Sequence, residues 1–390
     1  MSPVSRGRKP TKKTTKSSLA TERRQLLKTV LADADDALAE RDPVEVELIA
    51  STILGDLWQP AGAEHDVLLP LIDDAARRPS PAARALLRMI EHLGLTEAQR
   101  TRAAAAADAF TAMPEPPWGE ALGAVVVDEC WQQADVFGDG AALVLRCRLG
   151  GKPHGLVAEV DFSGGGLGDL YLIDNVDEVV DEMRAGQEAS EVMVTEPVPP
   201  ARARRILEDA IAVNESVIAL LPPAVAEEDP FAPMRALVAA RLRAMPPADP
   251  VVEPETFGDD ERDELVGAFL AESGEVTGDL ARSVRIIVDF GCDDDLGQPL
   301  RVGPGKFEVL LDHVLWAGET SDDVLEGLLI VLPSWARWAG ARSGLAPSAI
   351  DRLLEELEEI VEEFRARLAE YRDDFDHETE SAVPIALRRP

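Results

Sequence analysis

Residues 142–149 (ALVLRCRL) and 156–162 (LVAEVDF) each alternate in side-chain character with a period of two, and Gly150-Gly151-Lys152-Pro153 lies between them. This pair constrains the fold more than any other feature, because most of the chain is periodic at helical spacing. Leu143, Leu145, Cys147 and Leu149 fall on one face of the first segment, and Val144, Arg146 and Arg148 on the other. In the second segment Leu156, Ala158, Val160 and Phe162 share a face, opposite Val157, Glu159 and Asp161. An antiparallel hairpin superposes the apolar faces and sets the arginines among the carboxylates, so opposite charges are expected to meet. With a strand expected at 122–127 and a short one at Leu170–Ile173, the fold class is α+β. It is mainly helical, with a small central antiparallel sheet and a C-terminal helical bundle.

Helices surround this sheet. Thr21 is the expected N-cap of a first helix carrying Leu26, Leu27, Val30, Leu31, Ala34 and Leu38 at helical spacing. Further helices are expected at Val44–Leu57, Glu64–Ala76, Pro81–His92 and Glu97–Met113, the last capped by Thr96 and favoured by five consecutive alanines. Two more follow the sheet, near Val176–Arg184 and Ala201–Leu221. Eight prolines between Pro222 and Pro254 mark a stiff linker interrupted by one short helix, Met234–Ala244. Beyond it the pattern predicts helices at 260–272, 276–291, 305–316, 321–340 and 348–374. In the last, Ile350, Leu353, Leu357, Ile360, Phe364 and Tyr371 form a seam suited to a bundle edge. The organisation is therefore a disordered basic arm (1–18), a helical region (19–113), an α+β domain (118–222), a linker (223–257), a C-terminal helical domain (258–377) and a tail (378–390).

Charge is segregated along the chain. Residues 1–28 hold nine basic side chains against one acidic, a net of +8, which leaves 30 basic and 72 acidic side chains, or −42, in the remainder. A cationic arm on an anionic body is suited to an anionic partner or to the body itself. The arm's Ser5-Arg6-Gly7-Arg8-Lys9-Pro10 resembles the AT-hook, a short DNA-binding motif built on Arg-Gly-Arg. By that resemblance Arg6, Gly7 and Arg8 enter a narrow minor groove, while Lys9, Lys12, Lys13 and Lys16 contact phosphates. The sequence departs from the motif where Lys9, rather than proline, follows the second arginine.

Catalytic patterns fail on inspection. Asp161, Asp169, Asp174 and Asp177 bracket the glycine run 164–168, with His154 and Glu159 nearby, and could hold a divalent ion for hydrolysis. Their spacing fits no metal motif, so a metal-dependent hydrolase is the alternative reading and no metal or other cofactor is expected. Asp135–Arg146 and Asp289–Leu300 imitate calcium loops but end in Arg146 and Leu300 where glutamate is needed. Gly151-Lys152 and Gly305-Lys306 lack the Ser or Thr of a phosphate loop. Ser163 lacks the first glycine of a nucleophile elbow. Cys130, Cys147 and Cys292 are widely spaced and expected as buried free thiols. Trp316, Trp335 and Trp338 are expected as core anchors, a tryptophan-lined peptide groove for a protein partner being the alternative.

Asp289-Phe290-Gly291-Cys292, Pro299–Pro304 (PLRVGP) and Leu332–Gly340 (LPSWARWAG) resemble segments of an uncharacterised actinobacterial protein family, over most of residues 118–345. The resemblance implies no activity. With no apolar run long enough for a membrane span and no apolar core for a signal peptide, the expectation is a cytoplasmic, non-catalytic regulatory or scaffold protein. Its expected partners are nucleic acid through the arm and a protein on the C-terminal helical domain.

Overall fold

The structure is a computed structural model that describes residues 13–58, 67–220, 230–273, 280–317 and 321–377. It is α+β, with one five-stranded antiparallel sheet between two helical regions. The N-terminal region comprises α1 (Lys13–Asp36), a 3-10 turn (Ala37–Ala39), α2 (Pro43–Gly55), α3 (Leu68–Ala76), α4 (Pro81–Leu93) and α5 (Glu97–Asp108). Local chemistry sets its boundaries. Asp42 and Ser80 accept the Val44 and Ala83 backbone N–H groups, each just before a proline in the first helical turn. Thr96 and Gln99 cap α5 reciprocally. The first helix starts at Lys13, so Thr21 lies within it rather than capping it, and residues 13–18 are helical. No proline lies between Lys13 and Asp36, and extending an established helix costs far less than nucleating one.

A short helix, α6 (Gly119–Leu122), leads into the sheet: β1 (Val125–Asp135), β2 (Gly140–Leu149), β3 (Lys152–Asp161), β4 (Gly166–Ile173) and β5 (Met193–Val198), in the order β4-β3-β2-β1-β5. The expected hairpin is β2–β3. Leu149 pairs with Lys152 across Gly150 and Gly151, whose φ values of +58° and +87° suit a two-residue turn that side chains resist. That turn fixes a register in which Arg146 faces Gly155 and Arg148 faces Pro153. The arginines therefore pair not with Glu159 and Asp161 but with β1. Arg146 reaches Glu129 (2.5 Å), and Arg148 grips Asp128 (2.7 Å). The strand expected at 122–127 begins later and runs on to Asp135.

Both sheet faces are covered. Leu143, Leu145, Cys147, Leu156, Ala158 and Val160 are buried in a core shared with α8 (Pro200–Leu220) and α9 (Ala232–Ala244). Val144 and Val157 lie on the other face against Val176, Val180 and Met183 of α7 (Val176–Ala189). The helix within the proline-rich stretch, α9, is a core element: Leu237 and Val238 are fully buried, and the Leu237 N–H donates to Ser51 Oγ of α2 (3.0 Å).

The C-terminal bundle contains α10 (Asp259–Glu272), α11 (Ala281–Asp293), α12 (Pro304–Ala317), α13 (Asp322–Ser343) and α14 (Pro347–His377). Phe269 meets Trp335 edge-on with centroids 5.2 Å apart, and Trp338 joins them. The α14 seam at Leu353, Leu357, Ile360 and Phe364 is buried in this core, as a bundle edge requires. Trp316 is not a core anchor; it is 46% exposed near the end of α12. No helix among the described residues is long and apolar enough to cross a membrane.

Candidate functional site

The β1–β2 turn hooks the sheet to the C-terminal bundle. Asp135 shapes it: its Oδ1 accepts the Phe137 and Asp139 N–H groups (2.8 and 3.1 Å), and its Oδ2 accepts Gly140 N–H (2.7 Å). The tight turn projects Phe137, 6% exposed, into the bundle core with Phe307, Leu310 and Trp335. It also brings Asp139 to the first turn of α12, where Gly305 N–H and Lys306 N–H donate to the carboxylate at 2.8 and 3.1 Å.

Charges converge around this contact. Arg301 Nη1 lies 2.6 Å from Asp139, and Arg301 Nη2 lies 2.6 Å from Asp295. Lys306 Nζ, wholly buried, lies 2.7 Å from Asp295 and donates to the Gln298 carbonyl at 2.7 Å. Burial pushes the Lys306 ammonium pKa down to about 8, against the pull of Asp295. Ser163 Oγ–H donates to Asp139 (2.8 Å). The N–H groups of Arg301 are directed at Asp295, Asp139, the Gly138 carbonyl and Ser163 Oγ, which engages all five.

A cleft of about 630 Å³ opens beside this network. Phe137, Phe257, Leu265, Leu300 and Leu345 give it an apolar lining, while Asp135, Glu255 and Arg301 are its charged residues. Gly297 lets the extended strap bearing Glu255 close one side. A Cβ there would lie 2.1 Å from the Glu255 carbonyl oxygen, and φ is +70°. The neighbouring Leu296 is held at φ +51°, sparsely populated by residues other than glycine, with its side chain 66% exposed.

A second polar group is sealed inside the molecule. Glu47 of α2, Arg241 of α9 and His154 of β3 are all buried: Arg241 Nη1 lies 2.5 Å from Glu47 Oε1, and Arg241 Nη2 lies 2.7 Å from His154 Nε2. His154 is therefore neutral at Nε2, and burial beside the guanidinium pushes its pKa down to about 4. Burial raises the Glu47 carboxyl, opposed by Arg241. Cys147 lies on the adjacent strand, opposite His154. Burial raises its thiol to about 11 and that of Cys130 to about 12, so neither is an activated nucleophile. All three cysteines are buried and free, as expected.

The acidic residues around the glycine run have separate tasks. Asp161 accepts the Ser163 and Gly164 N–H groups (2.8 and 3.2 Å), and Asp177 pairs with Arg146 (2.5 Å). Asp169, Asp174 and Glu159 are exposed, whereas His154 is enclosed by Arg241. Among the described residues no three His, Cys, Asp or Glu side chains are grouped to hold a metal ion. Of the arm, Arg6, Gly7, Arg8, Lys9 and Lys12 lie outside the described residues, and Lys13 and Lys16 belong to the first turns of α1. Sequence reading missed Asp139, Asp295, Arg301 and Lys306 as a group. The spacing Arg301–Lys306 at a Gly-Pro helix start was the only available signal. Comparison with protein-family models, curated proteins and solved structures found no match.

Proposed function

We propose that this chain is a cytoplasmic, non-catalytic regulatory or scaffold protein that contacts nucleic acid through its basic N-terminal arm. The observation that carries this reading is the segregation of +8 over residues 1–28 from −42 over the rest. The form of α1 supports it. The helix runs unbroken from Lys13, and among its described side chains Leu27, Val30 and Ala34 are buried. From Lys13 to Leu27 the helix rises about 21 Å. A cationic segment ahead of Leu27 is suited to an anionic ligand that the anionic remainder of the chain would repel. The engagement of Arg301, Lys306, Arg241 and the cysteines in internal structure also favours a binding role over catalysis.

The test is a salt titration of binding to A·T-rich duplex DNA and to RNA, comparing the full chain with one lacking residues 1–18. Four lysines on phosphates give a log–log slope of about −3.6 on duplex DNA, lost with the arm. Equal, negligible binding by both chains overturns the proposal. A deletion that changes self-association alone assigns the arm to the body instead.

A further inference from the structure

We propose that the cleft between the β1–β2 turn, the Glu255 strap and the Gly297–Val302 loop binds a small organic cation: a primary amine carried on an apolar body. Its volume of about 630 Å³ lies within the range of small-molecule sites, and the lining of Phe137, Phe257, Leu265, Leu300 and Leu345 favours an apolar body.

The head group follows from charge and hydrogen bonding. Arg301 is the cation in the lining, and all five of its N–H groups already point at Asp295, Asp139, Gly138 and Ser163. Beyond Arg301 the side-chain donors of the lining are the neutral Gln298 amide and the Ser343 hydroxyl, which already donates to the Gly340 carbonyl, so an anion entering the cleft would meet no free cation without breaking the hook between sheet and bundle. Arg301 and Lys306 are moreover balanced by Asp139 and Asp295, so this network adds no net charge. What remains is negative. Asp135 lines the cleft with its carboxylate bound by backbone N–H groups, and Glu255 lines it with no hydrogen bond or ion pair among the described residues. The charge that remains is matched by a ligand that brings positive charge together with donors for these carboxylates, which an ammonium does. Gly297 serves the site by admitting the strap that places Glu255 at the wall. This inference is independent of the arm.

The experiment is calorimetric titration of the full chain with three ligands sharing one apolar body: 4-phenylbutylamine, 4-phenylbutan-1-ol and 4-phenylbutyrate. The amine should bind most tightly and the carboxylate least. Glu255→Gln should weaken the amine about fivefold, the scale of one partly exposed ion pair, and leave the alcohol unchanged. Glu253→Gln, on the same strap but outside the lining, should change neither, which separates the cleft from general attraction to an acidic protein. Equal affinity for amine and carboxylate, binding of none of the three, or an equal response to both substitutions would overturn the proposal.

Discussion

Asp139 caps a helix far along the chain, its Oδ2 accepting at 2.8 Å the N–H of Gly305, 166 residues further on. One carboxylate thus closes the first turn of α12, holds Arg301 and ties the sheet to the C-terminal bundle. Replacing it removes the cap and leaves Arg301 and Lys306, both largely buried, facing Asp295 alone. Asp139→Ala should destabilise the protein by about 3 kcal/mol, more than a lost cap alone and at the lower end for a broken buried pair. Asp139→Asn, which keeps an acceptor, should cost about half as much. Urea unfolding of the full chain measures both, and a loss below about 0.5 kcal/mol for the alanine variant would show that the contact carries no stability.

Phe137 is the apolar half of the same hook. Truncation to alanine opens a cavity in the bundle core and should cost about 3 kcal/mol. Because Phe137 and Asp139 sit in one turn shaped by Asp135, their losses should be less than additive. A double-mutant cycle with a coupling near zero would mean that the two side chains dock independently.

The buried Glu47–Arg241–His154 group makes stability depend on acid. His154 has a folded pKa of about 4 against about 6.5 in the unfolded chain. The unfolded state therefore binds the proton first as pH falls. Stability from this group is fully present above pH 6.5, declines between 6.5 and 4, and levels off below 4. The integrated loss is at most about 3 kcal/mol. His154→Gln keeps an acceptor for Arg241 and removes the titration. The difference between wild-type and variant unfolding free energies should therefore change over that window, and a pH-independent difference would place the folded pKa near its ordinary value.

The same group separates the value of a pair from the cost of breaking it. Arg241→Met alone leaves Glu47 buried without its cation and should cost about 3–5 kcal/mol. Combining it with Glu47→Leu removes the stranded carboxylate and should recover most of that loss. If the double variant is no more stable than the single one, packing by the Arg241 side chain, not charge, holds α9 against α2.

Much of this architecture was legible because local rules and tertiary packing agree. The proline-started helices at Pro43 and Pro81, the Thr96 cap and the α14 seam are short-range signals, and the glycine pair between β2 and β3 fixed a hairpin. Three differences from the sequence pattern, at β1, β5 and α9, have a common origin. β1 beyond Val127, with Asp128, Glu129, Gln132 and Gln133, does not look apolar because several of its side chains bond polar partners on β2, β5 and α7. β5 carries Pro197 and Glu196, which mark an edge strand only once β1 is known to lie beside it. α9 reads as a short helix within a linker because prolines flank it, whereas Arg241 needs the buried Glu47 that only the fold supplies. The candidate site was illegible for the same reason. Asp139, Ser163, Asp295 and Lys306 come from separate segments, and nothing in sequence spacing brings a β-turn to a helix terminus.

The thiols give the simplest check on how tightly the sheet is closed. Cys130 and Cys147 face the core shared with α8 and α9, and burial raises both well above the ordinary thiol range. Their thiolate fraction at pH 8 is therefore small, and a reagent also needs the sheet–helix interface to open before it can reach them. Iodoacetamide should leave both unmodified over hours in the native protein and alkylate both within minutes in urea, as read by peptide mass. Rapid native alkylation of Cys147 would mean that α9 lifts readily from β2 and β3, and the Glu47–Arg241–His154 group would then open to water with it.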